Sequence, residues 1–249
     1  MRGGLSLQGV SVRFGGLAAV DGVSLEIPAG ERRAIIGPNG AGKTTLFNAV
    51  TGAVRASSGR ILLDDRDVTR MPTHRRAALG ICRTFQVTNL FPRLTVAQTM
   101  RLALRGTAGR HFALFSGDRL SGSQAAHMAR ALEGARLQMP LDTPVASLSY
   151  GEQRQLELAM ALSTTPAVLM LDEPAAGLSP AERSVVTDIV RGLPSSMTVV
   201  LIEHDMDLVL NLVERITVLE TGRLLLEGDP AAIRASSVVQ DVYLGRPHA

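Results

Sequence analysis

Apolar and polar positions alternate from residue 5 to residue 14, with Leu5 and Leu7 and then Val10, Val12 and Phe14 on the apolar side. A period of two predicts a strand with one face buried, as in antiparallel sheets. Gly15-Gly16 breaks the pattern, and residues 20–27 predict a second strand closed by a turn at Pro28-Ala29-Gly30. Arg33-Ala34-Ile35-Ile36 predicts a short buried strand. It runs through Gly37-Pro38-Asn39-Gly40-Ala41-Gly42 into a helix over 43–50, with Gly52 as its C-cap. Residues 60–63 predict another strand, followed by a turn at Asp64-Asp65.

From about Phe91 strand signals give way to helical spacing. Thr95 is placed to cap a helix carrying Val96, Met100, Ala103 and Leu104. Residues 105–123 predict an irregular link and 124–139 a further helix. The stretch 89–163 therefore predicts a helical insertion within an α/β domain. Beyond it, 168–171 and 198–202 are short and wholly apolar, as strands buried in a parallel sheet are. A helix over 180–193 joins them. Residues 216–220 and 223–227 predict a hairpin turning at Thr221-Gly222.

The composition narrows the class. With 249 residues, 45% of them hydrophobic and 20% charged, the chain has enough apolar surface for a sizeable core. A net charge of +3 with no dense basic block gives no reason to expect a nucleic acid partner. The only adjacent basic pairs are Arg32-Arg33 and Arg75-Arg76. A single cysteine, Cys82, excludes an internal disulfide framework and a multi-cysteine metal site. The N-terminus does not read as a secretory signal, and no apolar run approaches the ~18 residues needed to span a bilayer. A cytosolic chain that serves any membrane through a partner is the expectation. Among 26 basic residues there is one lysine, Lys43.

That lysine lies in Gly37-Pro38-Asn39-Gly40-Ala41-Gly42-Lys43-Thr44, which fits G-x-x-x-x-G-K-[ST] with a predicted strand before it and a helix after it. Glycines let backbone N–H groups converge on phosphate oxygens, and the helix start adds partial positive charge. Lys43 supplies a point charge to the β- and γ-phosphates, and Thr44 offers a hydroxyl to Mg²⁺. An empty glycine-rich turn is the alternative, and the full match in context argues against it. A buried strand then delivers Asp172 and Glu173 to its carboxyl end, where ligands collect in open α/β sheets. Asp172 is expected to hold Mg²⁺, and Glu173 to orient and deprotonate the attacking water. Gln86, after the strand-like segment 79–85, is placed to reach Mg²⁺ and that water. His204, after the apolar strand 198–202, is placed to bond a γ-phosphate oxygen.

One more segment completes the set. Leu148-Ser149-Tyr150-Gly151-Glu152-Gln153-Arg154 precedes a helix, with Ser149 as N-cap and Glu152 at the capping-box position. In chain order there is now a phosphate loop, Gln86, Ser-x-Gly-x-Gln, Asp-Glu and His204. This combination resembles the ATP-binding cassette ATPases across nearly the whole chain. The resemblance implies a P-loop NTPase core, α/β in class: a mixed, largely parallel sheet with flanking helices and an N-terminal antiparallel β subdomain, plus an inserted helical subdomain. It implies one nucleotide-binding domain over 1–249, with 1–88 and 164–249 as core and 89–163 as helical subdomain. It also implies ATP and Mg²⁺ as cofactors, ATP contacts from Gly37 through Thr45, and Phe14 stacked on adenine. Mg²⁺ would take Thr44, Gln86 and Asp172. Ser149, Gly151 and Glu152 would reach the ATP held by a second ATPase subunit in a head-to-tail dimer.

Phe14-Gly15-Gly16-Leu17, Arg83-Thr84-Phe85-Gln86, Asp172-Glu173-Pro174-Ala175-Ala176-Gly177-Leu178, Ile202-Glu203-His204-Asp205-Met206 and Val242-Tyr243-Leu244-Gly245 look more narrowly like the ATPase subunits of branched-chain amino acid importers. That likeness implies two membrane permease subunits, a second ATPase subunit, a solute-binding protein outside the cell, and a peripheral position on the inner face of the cell membrane. ATPases for urea or amide import or for lipid-type export share the same nucleotide site. So do nucleic-acid-associated cassettes, which usually carry a long coiled-coil insertion or two cassettes in one chain. Three positions depart from the general cassette pattern. Tyr150 replaces a glycine, Ser179 stands where many members carry Asp, and Phe14 lacks a hydroxyl.

Overall fold

The computed structural model describes residues 3–84, 90–107 and 122–244. In chain order the elements are β1 (Leu5–Phe14), β2 (Leu17–Ile27), β3 (Arg32–Ile36), α1 (Lys43–Thr51), β4 (Ser58–Leu63), β5 (Arg66–Asp67), α2 (Thr73–Ala78) and β6 (Ile81–Arg83). There follow α3 (Val96–Thr107), α4 (Gly122–Gly134), a 3₁₀ turn (Val145–Ser147), α5 (Tyr150–Ser163), β7 (Val168–Asp172), α6 (Pro180–Arg191) and β8 (Thr198–Ile202). The chain closes with α7 (Met206–Leu212), β9 (Arg215–Glu220), β10 (Arg223–Gly228), α8 (Pro230–Ala235) and α9 (Ser237–Leu244). No described helix is long and apolar enough to cross a membrane.

Two compact units emerge. The first comprises Met1–Ile81, Ala167–Glu173 and Ser195–Ala249, and the second Cys82–Pro166 and Pro174–Pro194. In the first unit an antiparallel sheet runs β2-β1-β4-β5, and a six-stranded sheet is ordered β10-β9-β3-β8-β7-β6. Strand β3 pairs in parallel with both β8 and β9, and β7 pairs in parallel with β8. The predicted hairpin is present: β9 and β10 are antiparallel, and Thr221 and Gly222 both have positive φ, at 49° and 79°. One residue set of the parallel strands, including Ile35, Met170, Val200 and Ile202, joins a core with Leu46, Phe47 and Val50 of α1 and with the apolar face of β1 and β2. The opposite set, Leu169, Leu171, Val199 and Leu201, is equally buried. Burial on both faces is why these strands read as unbroken apolar runs.

In the second unit, Val96, Met100 and Leu104 of α3 are buried, as their spacing predicts. Thr95 caps that helix through its Oγ1, which accepts from the Gln98 N–H at 3.2 Å, and Gln98 Oε1 accepts from the Thr95 N–H at 2.9 Å. The helix expected to run to 139 ends at Gly134, where Arg136 at φ 52° turns the chain. The expected irregular link over 105–123 is helical at 105–107 and from Gly122, and its middle lies outside the described residues.

The Arg75-Arg76 pair divides. Arg75 is exposed, whereas Arg76 is among the most buried large side chains. Its Nη1 donates to the Ala49 and Val50 carbonyls at 2.6 and 2.7 Å. Its Nη2 donates to the Thr69 carbonyl at 2.8 Å and its Nε to the Met71 carbonyl at 2.9 Å. The guanidinium thus reaches carbonyls of the last turn of α1, adding to the Gly52 N–H that the Ala49 carbonyl already accepts at 3.2 Å. A Cβ at Gly52 would stand 2.9 Å from Arg76 Nε, so the αL glycine that ends α1 also makes room for this arginine. Arg76→Ala strands several buried carbonyls and should cost about 2–4 kcal/mol, read from the urea midpoint, whereas Arg75→Ala should stay within about 0.5 kcal/mol. Equal effects for the neighbours would contradict this assignment.

Candidate functional site

The phosphate loop leaves β3 at Ile36 and ends as α1 begins at Lys43. Two of its glycines, Gly37 and Gly42, are fixed by close approaches. A Cβ on Gly37 (φ 149°) would overlap the Leu219 carbonyl oxygen, and one on Gly42 (φ 97°) would overlap that of Ala19. The turn between β9 and β10 braces the loop, because Gly222 N–H donates to the Ala41 carbonyl at 3.0 Å. Gly42 occupies the N-cap of α1 without a capping side chain, and no acidic residue stands in the first turn. By contrast, α5 and α6 begin with capping boxes and α7 and α8 with capping aspartates. The positive end of α1 is left for an anion.

Lys43 Nζ donates to the carbonyls of Gly37 at 2.6 Å and Pro38 at 2.9 Å, which use two of its three N–H donors. Burial pulls its ammonium below the ordinary lysine range, and the negative charges of Glu173 and Asp172 push back. That opposition brings both carboxylates into the electrostatic reach of the lysine. They arrive by register: Ile35 of β3 aligns with Ile202 of β8, which aligns with Asp172 of β7. Groups just beyond that row share one edge of the sheet. Asp172 is buried, at 2% exposure. Glu173 takes a positive φ of 46°, rare for a side chain of its kind, and its N–H donates to the Ile202 carbonyl at 3.0 Å. His204 Nδ1 lies 3.8 Å from Glu173 Oε1, and the His204 side chain is 67% exposed. A buried carboxylate absent from the expected set, Glu203, accepts the His204 N–H at 3.2 Å. Its place beside His204 was visible in the sequence, but its burial was not.

The first unit therefore gathers Lys43, Asp172, Glu173 and His204 around the loop of Gly37, Pro38, Asn39, Gly40, Ala41 and Gly42. Thr44 is exposed on the first turn of α1, followed by the half-buried Thr45. Thr44's hydroxyl and the Asp172 carboxylate are hard oxygen donors, which suit Mg²⁺ sharing its shell with water and phosphate. Among the described residues no group of three or more His, Cys, Asp or Glu is positioned to hold a metal. Phe14 is 53% exposed at the end of β1, with its ring available for stacking. Gln86 lies outside the described residues. Ser149, Gly151 and Glu152 belong to the second unit. There Ser149 caps α5 and Glu152 completes its box, with Ser149 Oγ accepting from the Glu152 N–H at 3.2 Å and Glu152 Oε2 from the Ser149 N–H at 2.7 Å.

Comparison with known proteins points the same way. A family model described as ABC transporter matches residues 20–176. The chain is 39% identical to the high-affinity branched-chain amino acid transport ATP-binding protein BraF of Pseudomonas aeruginosa, covering 97% of each chain. It is 40% identical to the corresponding protein LivG of Escherichia coli, again over 97% of each. An ATP-binding cassette of an ABC transporter solved in its ADP conformation superposes with a TM-score of 0.86 at 28% identity, covering 99% of this chain and 100% of that one.

Gly42→Ala forces a side chain against the Ala19 carbonyl and into a left-handed conformation, a strain of roughly 1–3 kcal/mol. Gly40 (φ 80°) has no atom within 4 Å of the position a Cβ would take, so Gly40→Ala meets the backbone strain alone. Titration with a fluorescent adenine nucleotide should show a larger loss of affinity for Gly42→Ala than for Gly40→Ala. The reverse order would dissociate the loop's shape from its packing on β2.

Proposed function

The chain belongs to the ABC transporter family, and from that premise we propose that it is the ATP-hydrolysing subunit of an importer for branched-chain or other nonpolar amino acids. The observation that carries the chemistry is the alignment of β3, β8 and β7, which brings the phosphate loop, Asp172, Glu173 and His204 to the carboxyl ends of neighbouring parallel strands. The solute class rests on the relatives, whose identity of about two residues in five extends over 97% of both chains.

Each residue has a role its position supports. The loop amides and the start of α1 bind the phosphates of ATP, and Lys43 turns from the loop carbonyls toward the β- and γ-phosphates. Thr45 extends the backbone contact, and Phe14 stacks on adenine. Thr44 and Asp172, with Gln86 on the sequence alone, hold Mg²⁺, which when bound offsets phosphate charge. Glu173 accepts a proton from water as its oxygen bonds to the γ-phosphorus and the bond to the bridging oxygen breaks, leaving ADP. The fixed αL backbone holds that carboxylate in place. His204, in contact with Glu173, orients it and bonds a γ-phosphate oxygen.

Ser149 is exposed at the start of α5 and open to another chain. We assign Ser149, Gly151 and Glu152 to the nucleotide of a second ATPase subunit. ATP would draw the two subunits together, and hydrolysis would let them part. Two permease subunits would supply the membrane span, with a solute-binding protein beyond them and this chain peripheral on the inner face. We assign the helical part, 89–163, to the meeting with the permeases and 1–88 with 164–249 to the core, although Pro174–Pro194 groups with the helical unit.

Glu173→Gln keeps the shape of the side chain but cannot take the proton. ATP affinity should persist while turnover falls by roughly 10²–10⁴-fold. Near-normal hydrolysis would remove Glu173 from the role of base. In cells lacking this chain, uptake of labelled leucine should fall and return with the wild type but not with Glu173→Gln. Undiminished uptake would sink the solute assignment while leaving the ATPase intact.

A further inference from the structure

Ser179 and Gly151 meet at one carboxylate in the second unit, and Tyr150, like Ser179 a departure from the cassette pattern, packs on Gly177. Glu182 stands at N3 of α6 and forms a capping box with Ser179. Its Oε2 accepts from the Ser179 N–H at 3.0 Å and from the Ser179 hydroxyl at 2.6 Å. Its Oε1 reaches outside that helix and accepts from the N–H of Gly151 at 3.1 Å. Gly151 is the second residue of α5, so one carboxylate joins the first turns of two helices. A Cβ on Gly151 would overlap Glu182 Oε1 and stand 2.7 Å from Cγ and 2.8 Å from Cδ. A side chain there would therefore push Glu182 out of this bond, whatever ligand α5 meets. Beside this bond, the Tyr150 ring covers Gly177 (φ 73°), where a Cβ would lie 3.3 Å from Tyr150 Cε1. The hydrogen bonds from Ser179 and Gly151 hold the Glu182 carboxyl below the ordinary carboxylate range, so it is ionised at neutral pH.

We propose that Glu182 is a positioning residue: it fastens the first turn of α5 to the segment 174–179 and thereby sets where Ser149 and Gly151 stand when a second subunit brings its nucleotide to them. This rests on the head-to-tail reading above. An aspartate at 179 would add a second carboxylate against Glu182, whereas serine adds a donor. Ser179 therefore fits a box whose free oxygen can serve Gly151. Tyr150 closes the same junction with a ring that only a glycine at 177 admits so closely.

The test pairs two measurements on the full chain. In the Glu173→Gln background, where ATP persists, ATP-dependent association is followed by analytical ultracentrifugation. Binding of a fluorescent ADP analogue to the single chain reports the site of the first unit. Glu182→Ala should weaken association by roughly tenfold while leaving ADP affinity unchanged, the scale of one charge-assisted hydrogen bond. Glu182→Gln retains one acceptor oxygen and should fall between, which keeps the test alive if the alanine variant folds poorly. Glu182→Asp is too short to reach Gly151 and should resemble alanine. Equal loss of ADP affinity and association would mark a general structural role and overturn the proposal. Tighter association would do the same, because it would mean the carboxylate competes with phosphate for the Gly151 amide. Failure of the Glu173→Gln chain to associate with ATP at all would overturn the head-to-tail reading itself, and this proposal with it.

Discussion

The backbone ladder joining β3 to β8 and β8 to β7 sets the position of every charged group at the site. Ile35, Ile202 and Asp172 lie in one row across three strands, and each strand ends within a residue or two of that row. Buried parallel strands have little freedom to slip, since a shift of one residue would exchange two close-packed apolar sets and force both faces of the sheet to repack. Because all three run the same way, their carboxyl ends open on a single edge. The phosphate loop, the Asp172-Glu173 pair and His204 are therefore brought together by hydrophobic pairing far from the chemistry. Glu173 takes the strain of this arrangement, with a left-handed backbone pinned by a hydrogen bond to Ile202.

Helix ends divide the work. Among the described residues α3, α5, α6, α7 and α8 begin with side-chain caps, whereas the nine-residue α1, which follows the phosphate loop, does not. Its other end is finished by Arg76, which supplies positive charge where the helix dipole is negative. The same helix is thus satisfied at the end that lies in the core and open at the end that faces a ligand. Such an asymmetry orients a binding site without any movement of the helix itself.

Much of this was legible in the sequence, and the limits have a common cause. The strands appeared because burial on one face or two leaves a period that a linear reading detects, and Lys43 appeared because its loop has fixed spacing. The boundary of β1 at Leu5–Phe14 and the hairpin at Thr221-Gly222 were read correctly for that reason. What stayed hidden depends on distance along the chain. Nothing local separates Arg76 from Arg75, since the carbonyls that claim Arg76 lie up to 27 residues away. Glu182 reads as an ordinary capping-box glutamate, because its bond to Gly151 spans 31 residues. The short helices α2, α7 and α8 carry too few turns for a period to register.

The lone lysine is the sharpest meeting of composition and structure. A chain that uses arginine at every other basic position keeps a lysine where two backbone carbonyls of one loop must be reached together. A guanidinium is planar and broad, and its donors fan outward, whereas an ammonium is a compact point with three donors that rotate freely. The loop around Lys43 has no room to widen, because Gly37 and Gly42 already press on the carbonyls of Leu219 and Ala19. Burial weakens the ammonium's hold on its proton and two carboxylates restore it. An arriving phosphate adds negative charge on the same side as those carboxylates, so it strengthens the charged form of Lys43 as it binds. The exception in the composition thus falls where a compact cation is needed.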